Sequence, residues 1–167
     1  ESWPPTVELL VTLPDRPRPH APDALPRAVR ARGETWQRSG EARYAAWIAA
    51  IEASQGPVAV AQIAAVELLA DARNAAAAFL SALAERCEAI PAAWLRSAAE
   101  RYRGLVERLE AADVPRTAEV LALLDEPQVR REWAEVLRGL MEVEAAAAAD
   151  LRMAFVAQHP PEVDGEW

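Results

Sequence analysis

The sequence predicts an all-α protein: an up-and-down bundle of four to five helices, two of them long, preceded by one N-terminal extended strand and a proline-rich linker. Three observations carry this. Apolar residues recur at helical spacing over most of the chain from about residue 40 onward. The interruptions between these stretches are short ("SQGP", "DVP", "DEP"), and short connections favour antiparallel neighbours. The prolines are unevenly placed, with seven of the 13 at or before Pro26. The expected organisation is a strand and linker over 1–26, a helical bundle over 27–158 and a tail over 159–167.

The stretch "TVELLVTL", Thr6–Leu13, is rich in β-branched residues and bounded by prolines, which reads as a strand. A lone strand is not stable in water. It therefore pairs with a copy of itself, belongs to a sheet in an upstream α/β domain, or lies extended on the helices. "PDRPRPHAPDALP", Pro14–Pro26, reads as an extended linker, because proline fixes φ and lacks a donor. A short helical segment is expected over 23–32, punctuated by Gly33 and Gly40, with Ser39 as a candidate cap for the next helix.

That next helix, over 41–54, has Tyr44, Trp47, Ile48 and Ile51 on one face. A long helix is expected from Val58 to Ile90. Its seam runs Gln62, Val66, Leu69, Arg73, Ala76, Leu80, Leu83, Cys87, Ile90. Pro91 either ends or kinks it or sits at the start of the following helix, over 92–111. This helix presents Trp94, Leu95, Ala98, Tyr102, Leu105, Val106 and Leu109 on one face. A short helix is expected over 116–124. Asp125 then caps a final long helix that has Pro127 just inside its start and reaches Gln158. The alanine runs Ala75–Ala78 and Ala145–Ala149 lie in phase with bulky residues and let two helices approach closely.

Composition narrows the function classes. At 167 residues the chain suits one domain with a core that needs no disulfide or metal staple. The net charge of −8 repels phosphate backbones and anionic lipid, which argues against nucleic-acid and membrane-surface partners. All 18 basic residues are arginine, so every mechanism that needs a lysine is excluded. The single Cys87 excludes an internal disulfide and fits a reducing, cytoplasmic compartment. No run of 18 apolar, uncharged residues is present to span a membrane, and no signal-peptide pattern opens the chain. Beginning at Glu1 rather than Met, it reads as a processed product or a piece of something longer.

The candidate site is a pair of charges in apolar seams. Arg73 sits in the seam of the 58–90 helix. Glu144 sits in that of the last helix, among Trp133, Leu137, Leu140, Ala147, Leu151 and Ala154. Alanines flank both and leave room for a long polar side chain. A buried charge is too costly without a partner. The two are therefore expected to meet inside the bundle as a register-fixing ion pair, to line one polar pocket that grips a carboxylate or phosphate, or to snorkel to the seam's edge. Asn74 could add an amide to such a site, and Tyr102 could bring its hydroxyl near the pair; the bland alternative for Tyr102 is a core aromatic with a satisfied tip.

No catalytic constellation is legible. His20 and His159 lie in the linker and the tail, zinc requires more ligands than these offer, and Cys87 lies on the apolar stripe as an inert thiol. Six glycines leave no scope for a phosphate loop. The sequence thus predicts no metal and no cofactor and leans away from an enzyme. Trp47, Trp94 and Trp133 fall on helix faces and read as core. Trp3, Trp36 and Trp167 lie off the strong stripes and cover a helix end or face other material.

The segments "GEARYAAWIAAIEAS" (Gly40–Ser54), "AQIAAVELLADARNAAAAFLSAL" (Ala61–Leu83) and "LRSAAERYRGLVERLE" (Leu95–Glu110) resemble the helical C-terminal domain of proteins related to butirosin biosynthesis protein H. In that family a peptidase-like α/β domain precedes the helical one, and the strand Thr6–Leu13 resembles the last strand of that sheet. The namesake moves an acyl group from a carrier protein to an aminoglycoside, with its cysteine and histidine in the N-terminal domain. The resemblance therefore implies a companion domain that walls a cleft or recognises substrate. It transfers no catalytic residue to this chain.

Overall fold

The computed structural model describes residues 36–53, 59–112 and 122–158, and every regular element among them is helical. The four α-helices are α1 (Glu41–Ala53), α2 (Ala59–Ala84), α3 (Ala89–Ala111) and α4 (Pro127–Gln158). A π-helical turn, Trp36–Gly40, leads directly into α1, and a 3₁₀ turn, Ala122–Asp125, precedes α4. The expected strand Thr6–Leu13, the proline-rich linker, the 23–32 segment, the tail, His20, His159, Trp3 and Trp167 all lie outside the described residues.

The helix starts show where local sequence was read correctly and where tertiary packing intervened. Pro127 is the first residue of α4, where its missing N–H is one the helix would not use. The carbonyl of Glu126 accepts the N–H of Arg130 at 3.1 Å, so Glu126 takes the capping position expected of Asp125. Asp125 ends the 3₁₀ turn instead. The Arg130 guanidinium donates to the carbonyls of Leu124 and Asp125 at 2.9 and 2.8 Å, which stabilises that turn's open end. Of the helix expected over 116–124, the described part is this 3₁₀ turn. Ser39 lies within the π-helical turn rather than at a cap. Gly40 is required there, because a Cβ at this position would collide with the Trp36 ring.

The expected long helix to Ile90 stops earlier, at Ala84. The N–H groups of Arg86 and Cys87 bond back to Leu83 and Ala84 at 3.0 and 3.4 Å, and the chain reverses. Glu88, extended at φ −61° and ψ 162°, precedes α3, and its carbonyl accepts the N–H of Ala92 at 2.9 Å. Pro91 therefore sits in the first turn of α3, among the donors that have no helical partner. The early reversal folds Ala92 and Leu95 back against Leu80, Leu83 and Ala84. It also removes Ile90 from the expected seam: Ile90 is 67% exposed. Cys87 is a free thiol, half-buried against the core rather than enclosed in it.

Among the described residues, two apolar clusters fill the interior. The first joins Ala77, Leu80, Leu83 and Ala84 of α2 to Ala92, Leu95, Ala98, Ala99 and Tyr102 of α3 and Ala147, Leu151 and Ala154 of α4. The second joins Tyr44, Ile48 and Ile51 of α1 to Val66, Leu105, Leu109, Trp133, Ala134, Leu137 and Leu140. The start of α3 thus meets the end of α4, and the end of α3 meets the start of α4, so these helices are antiparallel. The second half of α2 shares a cluster with the second half of α4, which makes α2 and α4 parallel. One end of the bundle is built from four helices and the other from three. The faces expected of α1, α3 and α4 are the ones buried. Trp133 is core, while Trp47 and Trp94 are half-buried against the two clusters, each keeping an edge at the surface. Trp36 also packs on the second cluster, with its ring 5.7 Å from that of Tyr44 at an interplanar angle of 65°.

Candidate functional site

Arg73 lies mid-way along α2 on its inward face. One turn in either direction stand Leu69, Ala76 and Ala77, and the alanines clear a path for its side chain. Glu144 lies opposite on α4, between Leu140 and Ala147, with only 1% of its side chain exposed. The two close on each other: Arg73 Nε donates to Glu144 Oε1. Arg73 keeps 13% of its side chain at the surface, so the contact is enclosed on the carboxylate side and opens toward solvent on the guanidinium side.

Tyr102 of α3 completes the arrangement. It is buried, and the Arg73 guanidinium carbon lies 5.3 Å from the centroid of its ring. The electron-rich ring face attracts the cation, and more strongly where water is excluded. Tyr102 thus joins the site through its ring, a role that its position in the seam did not announce. Asn74 does not join: it is exposed, because adjacent helical residues point about 100° apart. Three of the four expected residues therefore come together, one from each of α2, α3 and α4.

A second polar cluster, absent from the sequence expectations, lies ~9 Å further along α4 at Asp150. Its carboxylate, also nearly enclosed, accepts from Ser97 Oγ and from Arg101 Nε, both at 2.7 Å and both on α3. The available signal was Ser97 and Arg101 one turn apart, matched with an acid beside Leu151. It was missed because an acid at the edge of an apolar stripe reads the same whether solvated or paired. On the outside, Arg103 Nη2 reaches Ser81 Oγ at 2.5 Å, joining α2 to α3. Arg138 binds Glu52 at 2.5 Å and Glu135 at 2.7 Å, joining α1 to α4. The hydrogen bond that Arg138 donates to Glu52 is the main influence raising the Arg138 pKa above its already high ordinary value, so this residue stays charged at any working pH.

Chemically, the two buried carboxylates among the described residues, Glu144 and Asp150, are engaged by arginines of neighbouring helices. Such pairs hold helices in register. A buried carboxylate stripped of its arginine would be strongly destabilising. Among the described residues no group of three or more histidine, cysteine, aspartate or glutamate side chains is placed to hold a metal ion. Among the same residues no helix is long and apolar enough to cross a membrane.

No protein-family model matches the chain, and no curated protein or solved structure matches it at a significant level.

Proposed function

We propose that this chain is a non-catalytic helical domain, an accessory or substrate-recognition part of a larger acyltransferase-like or peptidase-like protein. The observation that supports it best is the closed Arg73–Glu144 contact over Tyr102. A guanidinium bonded to a carboxylate of its own chain and resting on an aromatic face has its charge used within the fold. That favours a scaffold role for the one internal site legible in the sequence. The resemblance of the three helical segments to proteins related to butirosin biosynthesis protein H supports the rest of the reading. On it, an upstream α/β domain supplies the chemistry in the cytoplasm, this bundle walls the cleft or contacts the substrate, and Cys87 takes no part in the reaction.

The reading is tested by the reading frame upstream of Glu1, followed by an acyl-transfer assay of the complete product. An upstream domain with a cysteine and histidine, whose activity falls when this bundle is deleted while its thiol still reacts with an alkylating probe, is the expected result. A frame with no such domain overturns it.

A second reading, a small-ligand-binding bundle centred on Arg73 and Glu144, draws on the surface-reaching edge of Arg73. A carboxylate or phosphate would bind there by displacing Glu144. Thermal shift titrations with small carboxylates and inorganic phosphate separate the two: a saturable rise in melting temperature that is lost in Arg73→Met favours the ligand site.

A further inference from the structure

We draw no further inference here: the strongest candidate, the end of the α3–α4 pair where Ile90 of α3 and Met153 and Val156 of α4 stand exposed, carries nothing further, because nothing in the structure shows what covers it.

Discussion

Arg73 of α2 donates through Nε to Glu144 Oε1 of α4 while its guanidinium rests on the ring of Tyr102 from α3, so one side chain ties three helices at the middle of the bundle. This contact lies beside both apolar clusters, where α2 and α4 run parallel and have no short connection to set their register. A pair at this place fixes how far one helix slides along the other.

Removing the arginine alone takes the paired positive charge from Glu144, which is almost fully enclosed. Arg73→Ala should cost about 3–5 kcal/mol. The double variant Arg73→Met with Glu144→Leu should recover most of that loss, because apolar replacement of a whole buried pair is often neutral. Urea unfolding of the three proteins measures both effects. A single variant with an unchanged midpoint would show that Glu144 finds water or another donor.

The Tyr102 ring lies under the Arg73 guanidinium, so Tyr102→Phe and Tyr102→Leu should differ. The leucine variant loses the surface under the cation and should be less stable than the phenylalanine variant by about 1 kcal/mol. In an Arg73→Met background the gap between the two should close. A gap that persists there would assign the difference to packing rather than to the cation.

The Asp150 cluster should matter more than its exposed arginine suggests. Arg101 keeps 43% of its side chain in water, whereas Asp150 keeps 7%. Asp150→Ala removes both bonds and should cost about 2 kcal/mol, and Ser97→Ala should cost about 1 kcal/mol. Arg138→Ala is the contrast: its partners are exposed, and its midpoint should stay within error of the parent. A larger loss at Arg138 than at Asp150 would mean that the surface pair outweighs the buried one.

Gly40 offers a test of close packing. A Cβ there meets the Trp36 ring, so Gly40→Ala must push the ring off its edge contact with Tyr44. The helix-favouring effect of alanine is worth up to ~1 kcal/mol, and overpacking costs about 1–3 kcal/mol, so the net effect should be destabilising. In a Trp36→Ala background the same change should become stabilising. Melting curves of the four proteins in this cycle decide it; an additive cycle would mean that the ring and residue 40 do not interact.

Much of the fold was legible because helix periodicity is a local property. The faces of α1, α3 and α4 follow from residues three and four apart, and Pro127 marks the start of α4 because proline suits a first helical turn. Arg73 and Glu144 were recognisable as partners because a charge inside an apolar seam must be compensated, and only one seam offered the opposite charge. The end of α2 was not legible. The run to Ile90 keeps its helical period past Ala84, and only the packing of Ala92 and Leu95 on Leu80 and Leu83 made the earlier reversal favourable. Nor were the parts played by Tyr102, Asn74 and Asp150. Whether a polar residue near a seam faces a neighbour or water depends on where the next helix lies, a few tens of degrees around the axis. The sequence by itself determined the helices and the charges that could not remain alone. The tertiary structure decided which faces meet, because that choice rests on contacts between residues dozens of positions apart.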